Sequence, residues 1–544
     1  MFVEVSRYKT YMRVRILRKV PIPGGTSKRV LVEHIGSARS EPELAILRIR
    51  AEQRMAELLP QLSLLAGIDA AEQTARSDAS RLSLSDAFAS GLWNVIGGIY
   101  DQLDLPADGL LKHLVLARIA LPKSKRATIR YLADNLRLSV GLQTVYDYMD
   151  TLNKDNLMAK LLAYARIRAQ DRDGTAISVV FYDVTTLYFE TDEDDEDTEK
   201  SPGLRKKGYS KDHRYDLPQV VVGLTVDNHG FPLDFQVYEG NTYEGQTLLA
   251  GVQKIQDKLQ LVSNNLTVVA DAGMLSQANL EKLESSGYSY IVGARIRSLP
   301  AAAAEQILTW EYTKNGNLDT TIAGRRMVVT YSDKRAKRSK QNRERLVSKL
   351  QAKLVRGDIV KKSKYVVLEE LSSSKNGAKA IVHAIVSDDT YSLVAKTTER
   401  QKQQKQPKLT GHLDTEKLEH DARFDGLKGY VTNTGLSATE VVTHYGNLWN
   451  VEKSFRMSKS DLRARPTFHY KRERIIAHLT ICVCSLGVLR AFEEKLHTSL
   501  PAVGLSVALE QLLQIRDYQL KLPNGQMITV QTELTAMQQK LQGR

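Results

Sequence analysis

The pattern of apolar residues changes at Ala176, and this change sets the expected fold class. The segment 176–183 is a short apolar run that ends in Asp183, as a buried strand would. The runs 219–226 and 232–238 flank the sequence Asp-Asn-His-Gly, which is typical of a hairpin turn. Three strands, two of them joined as a hairpin, are therefore predicted in this part of the chain.

The following segment continues the same alternation of strands and helices. An amphipathic helix is predicted over 246–259, and a second buried strand over 266–271 ends in Asp271. A short helix over 276–285 and a strand over 288–294 complete the series. Strand, hairpin, helix, strand, helix and strand together predict an α/β fold with a mixed sheet.

The regions around this core differ from it in composition. Residues 1–170 are mostly helical in pattern after a short strand-like opening, and 123–152 resembles a helix-turn-helix, although plain helical hairpins look alike. The segment 297–433 has a weak, β-rich pattern with basic interruptions, and 434–495 is helical. The last part, 496–544, is predicted to be a helical C-terminal tail.

Charge and composition limit the possible function classes. The formal net charge of the 544 residues is +14, which favours a polyanionic partner such as nucleic acid or a membrane surface. We find no apolar run of membrane-spanning length and no signal-peptide pattern. Cys482 and Cys484 are interpreted as core thiols of a cytosolic protein. A phosphate-binding loop of nucleotide-driven motors is also absent from the sequence.

One stretch near the C-terminal end of the chain has an unusual set of side chains. Tyr445, Glu452 and Lys459 stand seven residues apart, so one continuous helix would place them on one face, about 10 Å from neighbour to neighbour. Trp449 and Arg456 would lie near the same stripe. Such a face suits a surface that holds a metal ion and binds phosphates.

The acids at the two strand ends extend this interpretation. Asp183 and Asp271 are both expected at the carboxyl edge of the sheet, where α/β folds place ligand sites. With Glu452 they supply the hard oxygen ligands that Mg²⁺ prefers. Two such ions can activate an attacking oxygen and stabilise a leaving one in phosphoryl transfer.

The three acids and their surroundings resemble the DDE transposases of bacterial insertion sequences. The closest resemblance is to the insertion-sequence-four type, marked by a Tyr-(2)-Arg-(3)-Glu-(6)-Lys signature, which Tyr445, Glu452 and Lys459 fit while Leu448 replaces the arginine. The motifs Tyr-Asp-Val-Thr-Thr at 182–186, Ala-Asp-Ala-Gly at 270–273 and Gly-Asn-Thr at 240–242, followed by Glu244, also match.

The resemblance implies a ribonuclease-H-like catalytic core made of 171–296 and 434–495, with a β-rich insertion over 297–433. It also implies an Asp183, Asp271 and Glu452 triad that uses Mg²⁺, with Mn²⁺ as a substitute. The expected partners are double-stranded DNA at terminal inverted repeats and at the target, and a second copy in a homodimer. A cytoplasmic, nucleoid-associated location follows. The alternatives are a non-catalytic DNA-binding protein derived from a transposase and a nuclease on the same fold.

Several further side chains are predicted to contact DNA because of their charge, their aromatic rings or their closeness to the acids. Those beside the acids lie on the 445–459 stretch and in the segment after the first strand, and the others begin the basic run 334–364. They are Tyr445, Trp449, Arg456, Lys459, Lys211, His213, Arg214, Lys334, Arg335, Lys337 and Arg338.

Overall fold

The computed structural model describes most of the chain. The described residues are 1–20, 27–58, 83–107, 109–197, 202–211, 213–259, 266–274, 276–312, 316–356, 363–370, 409–465, 467–522 and 525–543. Every structural statement below concerns these residues.

The strands of the described residues are named in chain order. They are β1 (Phe2–Arg7), β2 (Met12–Val20), β3 (Lys28–Ala38), β4 (Ser83–Phe88), β5 (Val179–Tyr188), β6 (Gln219–Val226), β7 (Pro232–Glu239), β8 (Thr267–Ala270), β9 (Ser289–Ala294), β10 (Leu318–Ile322), β11 (Arg325–Tyr331), β12 (Val366–Glu370), β13 (Leu409–Leu413), β14 (Leu427–Thr432), β15 (Asp517–Lys521) and β16 (Met527–Gln531).

The α-helices are named in the same way. They are α1 (Glu41–Leu58), α2 (Gly97–Gln102), α3 (Leu110–Ala120), α4 (Lys125–Leu136), α5 (Leu142–Thr151), α6 (Lys154–Asp173), α7 (Glu244–Leu259), α8 (Gln277–Ser285), α9 (Ala301–Leu308), α10 (Asp333–Val355), α11 (Thr415–Arg423), α12 (Ala438–Gly446), α13 (Trp449–Arg456), α14 (Arg472–Ser499), α15 (Leu505–Gln514) and α16 (Ala536–Leu541).

The chain packs as two compact units. The first contains residues 1–262 and 449–544, and the second contains residues 263–448. The boundaries of these units do not coincide with the region boundaries predicted from the sequence at 170, 296, 433 and 495. The predicted regions therefore stay predictions. We describe each unit by itself.

The larger sheet of the first unit is an antiparallel meander of β5, β6 and β7. The predicted hairpin is confirmed: β6 pairs with β7 across the turn at 227–230. All eight residues of β6 are buried, as expected of a central strand. The predicted end of the first strand was wrong. Strand β5 continues past Asp183 to Tyr188 because the next residues, Val-Thr-Thr-Leu-Tyr, are β-branched, aliphatic or aromatic and favour extended backbone.

Helix α14 lies at the centre of the helical part of this unit and packs against α3, α5 and α6. Contrary to the sequence expectation, α14 is long and apolar enough to cross a membrane by composition, with a mean hydropathy of 2.0 over its best window. Of that window, 94% is buried inside the fold, as in the core helix of a globular protein. Cys482 and Cys484 lie on this helix as buried free thiols, as predicted.

Two smaller sheets also belong to the first unit. Strands β1, β2 and β3 form an antiparallel sheet, which shares with α1 a core that includes Val14, Ile16 and Leu44. Strands β15 and β16 pair with each other, and β15 also pairs with β4. The prediction of a helical C-terminal tail was therefore wrong for 517–521 and 527–531. These strands are only five residues long and partly polar, and neither alternates regularly between buried and exposed side chains, so their pattern gives little signal.

The second unit contains a mixed sheet in the order β10-β11-β14-β9-β8. Strands β8 and β9 run parallel, and the other neighbours in this order are antiparallel. The mixed α/β class is therefore confirmed. The described residues of 297–433, the segment expected to be β-rich, contain the strands β10 to β14 and also the 23-residue helix α10. Its high content of Lys, Arg, Gln and Leu favours helix, and most of its length is solvent-exposed.

Candidate active site

The first unit holds Asp183 in the middle of a rigid strand. Asp183 lies opposite Leu224 of β6, and its Oδ1 accepts a hydrogen bond from the Val184 backbone N–H at 2.7 Å. Its neighbours Tyr182 and Val184 are buried, whereas the Asp183 side chain is 20% exposed. Because side chains alternate along a strand, Asp183 points to the opposite face from both of them. A carboxylate on a strand that is paired along its length has little freedom, which suits a ligand site.

A lysine ammonium contacts this carboxylate. The Nζ of Lys211 lies 3.8 Å from Asp183 Oδ1 and 3.1 Å from Glu244 Oε1. It also donates to the backbone carbonyl of Val184, and the Lys211 N–H donates to Thr186 Oγ1 at 3.1 Å. Lys211 is therefore attached to β5 through both its main chain and its side chain. The sequence predicted Lys211 as a DNA contact, and that role stays a prediction.

Glu244 belongs to the first turn of α7, just after the glycine of the Gly-Asn-Thr motif. Gly240 packs so closely that a Cβ there would lie 2.0 Å from the Gln219 carbonyl oxygen and 2.2 Å from that of Lys206. The Gln219 Nε2 in turn donates to the Gly240 carbonyl at 2.8 Å. This close approach explains the glycine and fixes the start of α7, on which Glu244 lies.

Glu452 is exposed in the first turn of α13, and the buried side of this helix is attached to the β6–β7 turn. Asn450 Nδ2 donates to the Asn228 carbonyl at 3.0 Å, and Ser454 Oγ donates to the Gly230 carbonyl at 2.8 Å. Asn450 and Ser454 are four residues apart and therefore share one helix face. Helix α13 also packs against β5, the strand of Asp183.

The turn that receives α13 is itself fixed by a buried acid. One oxygen of Asp227 accepts the backbone N–H groups of His229 and Phe231, both at 2.8 Å. Burial raises the pKa of Asp227, although these two hydrogen bonds oppose the effect. Gly230 has φ +79°, a left-handed conformation that glycine adopts without strain.

A buried ion network joins α13 to α14. Lys453 Nζ donates to Glu493 Oε1 at 2.6 Å, and Arg490 Nη1 donates to Glu493 Oε2 at 2.5 Å. Arg490 also donates to the His229 carbonyl through its other terminal nitrogen. Glu493 and Arg490 are both 8% exposed, so neither charge is solvated by bulk water. The network holds the helix of Glu452 against both the turn and the core helix.

We expect Ser454→Ala to loosen α13 rather than unfold the protein. Ser454 is fully buried, and its loss leaves the Gly230 carbonyl without this donor, at a cost of about 1–2 kcal/mol. If Glu452 has the catalytic role that the resemblance implies, DNA cleavage should fall more than DNA binding, because the variant disturbs the position of this acid. Thermal unfolding and single-turnover cleavage measure the two effects. Ser460→Ala, at an exposed position, is the matched control, and equal cleavage by both variants would contradict the anchoring role.

The second unit presents Asp271 directly after β8, as predicted. Asp271 is exposed, and its Oδ1 accepts a hydrogen bond from the Tyr445 hydroxyl at 3.1 Å. The Tyr445 ring is buried, with Lys428 Nζ at 4.5 Å from its centre. A Cβ on Gly293 would lie 2.5 Å from the Tyr445 oxygen, so the glycine leaves the space in which this hydroxyl reaches Asp271.

The predicted single helix through Tyr445, Glu452 and Lys459 was wrong. Helix α12 ends at Gly446, α13 begins at Trp449, and Lys459 belongs to a π-helical turn over Met457–Asp461. Glycine weakens a helix, and after it the backbone makes only a tight turn from Leu448 to the Tyr445 carbonyl. The three side chains therefore lie on three separate elements and not on one helical stripe.

Leu448, which replaces the arginine of the signature, is buried at 5% exposure. An apolar side chain suits this position, whereas a guanidinium there would lose its hydration. Trp449 beside it is 53% exposed, and the Lys453 ammonium lies 5.6 Å from its ring centre. Arg456 is exposed, and Lys459 is half-buried.

The other predicted DNA contacts differ in how freely they face solvent. His213 and Arg214 are exposed; Nδ1 of His213 lies 3.1 Å from the Tyr215 hydroxyl, and Arg214 pairs with Asp216 at 3.4 Å. On α10, the Arg335 side chain forms a hydrogen bond within the protein, because it donates to the Gly426 carbonyl at 2.9 Å. The exposed basic residues of the predicted set on α10 are Lys334, Lys337 and Arg338.

The donor chemistry in each unit fits a hard divalent cation. Asp183 and Glu452 in the first unit and Asp271 in the second offer carboxylate oxygens, the ligands that Mg²⁺ and Mn²⁺ prefer. Within the described residues, no group of three or more His, Cys, Asp or Glu side chains is already arranged to hold a metal ion.

Sequence reasoning missed the residues that position these acids. Asn450, Ser454, Arg490 and Glu493 act through α13, and Lys428 and Gly293 surround Tyr445. The spacing of Asn450 and Ser454 on either side of Glu452 was the available signal. The remaining contacts join residues far apart in sequence and have no local pattern.

Acids held on a strand and on an anchored helix, in a strongly basic chain, define a candidate enzyme for phosphodiester chemistry. The chain belongs to the DDE transposases: the family described as "Transposase DDE domain" matches residues 174–487, which is more than half of its length. It is therefore a transposase by family. No curated protein matches the chain.

Two solved transposase structures are similar to the chain. One is the cryo-EM structure of the piggyBac transposase synaptic complex with hairpin DNA, at 7% identity and a TM-score of 0.34, covering 77% of this chain and 79% of that one. The other is the crystal structure of a pre-cleavage Mos1 transpososome, at 10% identity and a TM-score of 0.15, covering 31% and 54%. TM-scores this low do not establish a common fold.

Proposed function

We propose that the protein is the transposase of a bacterial insertion sequence of the insertion-sequence-four type. It binds the ends of its element, cleaves DNA by Mg²⁺-dependent phosphodiester hydrolysis and joins the 3′-hydroxyl ends to target DNA. The observation that carries the proposal is the family match over 174–487, which includes Asp183, Asp271 and Glu452. A ribonuclease-H-like core is the finer fold that we propose. The antiparallel strands β5 to β7 and the parallel pair β8 and β9 are consistent with it.

The proposed catalytic residues are the three acids, which would hold Mg²⁺ or, as a substitute, Mn²⁺. When bound, the metal supplies charge stabilisation for the attacking and leaving oxygens of an in-line displacement. Asp183 contributes a carboxylate fixed on β5, and Glu452 contributes one on a helix anchored by Asn450 and Ser454. Tyr445 donates to Asp271 and so restricts its rotation.

The proposed DNA contacts near the acids come from the exposed cations and rings. Lys459 and Arg456 would bind phosphates as positive charges, and Trp449 would stack on an unpaired base. Lys211, His213 and Arg214 lie in the segment between β5 and β6 and would contact DNA near the cut. Double-stranded DNA, as terminal inverted repeats and as target, is the proposed partner of a homodimer in the synaptic complex.

A strand-transfer assay tests the proposal directly. The purified protein is incubated with Mg²⁺, labelled DNA from the ends that flank its reading frame, and a target plasmid. Cleavage at the element ends with joining to the plasmid is the expected result. Cleavage without joining would indicate a nuclease on the same fold, and specific binding without cleavage would indicate a non-catalytic DNA-binding protein.

Helix α10 is the proposed non-specific DNA contact, and we expect its exposed cations to control salt dependence. The triple variant Lys334→Gln, Lys337→Gln and Arg338→Gln should flatten the plot of log affinity against log salt concentration. Each lost phosphate contact removes about 0.9 from the slope, so the change should approach about 2.7. Fluorescence anisotropy with an end fragment at several salt concentrations provides the measurement.

The matched control for α10 carries the same charge change at exposed lysines elsewhere, Lys495→Gln, Lys521→Gln and Lys540→Gln. Arg335 is left intact, because its hydrogen bond to Gly426 holds α10 in place. Equal slopes for the two triple variants would show that α10 is an ordinary solvated helix.

A further inference from the structure

We propose that Lys211 and Glu244 form an internal charge pair that sets the affinity of the Asp183 site for divalent cations. In this arrangement the Lys211 ammonium is a built-in counter-ion, which neutralises Asp183 while no metal is bound and withdraws to Glu244 when a metal binds. The inference rests on the proposed metal-binding role of Asp183. Lys211 and Glu244 are positioning residues and are not proposed as metal ligands.

The Lys211 ammonium lies between two carboxylates. One ammonium lies 3.1 Å from Glu244 Oε1 and 3.8 Å from Asp183 Oδ1, and it donates to the Val184 carbonyl next to Asp183. A cation at this distance from a carboxylate occupies the region in which a divalent cation would approach that carboxylate. A bound divalent cation would therefore either displace the Lys211 ammonium or be repelled by it, which would weaken metal binding.

The Glu244 carboxylate is a partly buried counter-ion of Lys211. Its Oε1 is buried and forms no hydrogen bond of good geometry, and in the described part of the chain Lys211 is its ion-pair partner. The side chains of Lys211 and Glu244 are 33% and 26% exposed, so the pair is partly shielded from water. The Lys211 ammonium can therefore move from Asp183 to Glu244 and still be paired with a negative charge.

The main chain of Lys211 and the main chain of Glu244 are both held in place. The Lys211 backbone N–H is bound to Thr186 Oγ1 at 3.1 Å, and Glu244 starts a helix next to the tightly packed Gly240. Only the flexible end of the Lys211 side chain can therefore move between the two carboxylates. A shift of a few ångströms changes the charge next to Asp183 by a full unit, without a rearrangement of the backbone.

The test measures Mn²⁺ binding to the DNA-free full-length protein by electron paramagnetic resonance at fixed pH and salt, with no cleavage assay. Lys211→Met should bind Mn²⁺ about tenfold more tightly than wild type, because a nearby positive charge has been removed. Lys211→Arg keeps the charge and should stay within about twofold of wild type. Glu244→Gln should bind more weakly, because the ammonium then has only Asp183 as its counter-ion.

Controls separate this inference from the proposed function. Lys207→Met removes an exposed lysine on the same segment and should leave Mn²⁺ affinity unchanged. Asp183→Asn should lose Mn²⁺ binding if Asp183 is a ligand, and wild-type affinity in this variant would overturn the metal assignment itself. If Asp183→Asn loses binding but Lys211→Met binds Mn²⁺ no more tightly than wild type, the charge-pair inference alone is wrong.

A second measurement is independent of metal affinity. Without divalent cations, Lys211→Met leaves Asp183 and Glu244 without this shared counter-ion, so its melting temperature should fall below that of Lys207→Met. Added Mn²⁺ should then raise the melting temperature of Lys211→Met by more than that of wild type, since tighter binding stabilises the folded state more. An equal Mn²⁺-induced shift in both proteins would contradict the proposal.

Discussion

Replacing any one of the three acids, as Asp183→Asn, Asp271→Asn or Glu452→Gln, is expected to abolish DNA cleavage. Each change keeps the size of the side chain but removes a negatively charged oxygen that is proposed to bind the metal. Loss of metal-mediated stabilisation of the transition state is worth several kcal/mol, which corresponds to about a thousandfold or more in rate. Single-turnover cleavage of a labelled end fragment in Mg²⁺, and separately in Mn²⁺, measures the loss.

Binding of the same fragment should be nearly unchanged in these variants, because affinity depends mainly on phosphate contacts made by cations. Asp134→Asn, at an exposed position on α4, is the matched control and should cleave normally. A variant of the three that retained near wild-type cleavage would remove that acid from the proposed triad. Loss of binding together with cleavage would indicate a folding defect instead.

The second large effect concerns stability and involves Lys125. Lys125 lies in the first turn of α4 but is only 6% exposed. Burial, together with repulsion from the nearby positive charge of Arg118, lowers the pKa of Lys125 from 10.5 to about 7. The other titratable groups packed around it are His469, His478 and Cys482, and no carboxylate of the described residues forms an ion pair with it. We expect Lys125→Met to stabilise the fold, because methionine fills a similar volume without a charge.

The size of this effect depends on pH in a defined direction. Between the folded pKa of about 7 and the unfolded value of 10.5, the unfolded chain binds more protons at Lys125, so stability rises with pH across this window. The cost of burying Lys125 is fully present below about pH 7, on the order of 5 kcal/mol, and disappears above about pH 10.5. The advantage of Lys125→Met should therefore be largest at neutral pH and vanish at high pH.

Denaturant unfolding of wild type and Lys125→Met at several pH values provides the measurement. Lys495→Met removes an exposed lysine and should change the free energy of unfolding by less than about 0.5 kcal/mol. A destabilised Lys125→Met at neutral pH would mean that the ammonium makes a favourable contact in the core. A stabilisation that did not depend on pH would point to better packing rather than to charge.

The core elements could be predicted from the sequence because their signals are local. Strands β6 and β7 are apolar runs on either side of a turn whose glycine has a positive φ, and β8 and β9 are apolar runs followed or preceded by polar residues. The extent of β5 was harder to predict. Its continuation past Asp183 combines residues that favour extended backbone with pairing to the whole of β6, and only the first of these can be read from the sequence.

The residue types of the candidate site are proposed from the sequence, but the contacts of these residues could not be predicted from it. The seven-residue spacing of Tyr445, Glu452 and Lys459 suggested one helix, whereas a break after Gly446 places them on separate elements. The hydrogen bond from Tyr445 to Asp271 joins residues 174 positions apart, and no local periodicity can report it. The same holds for Lys211, whose contacts with two carboxylates depend on the folded path of the segment between β5 and β6.

The pairing of β15 with β4 has a consequence for how the protein is made. Strand β4 leaves the ribosome long before its partner β15, which is encoded more than four hundred residues later. At roughly 5–20 residues per second, synthesis of the intervening chain takes about 20–90 s. Throughout that time the nascent protein exposes the unpaired edge of β4. A chain terminated before β15 would keep this edge open, so copies truncated before that strand are candidates for aggregation and proteolysis.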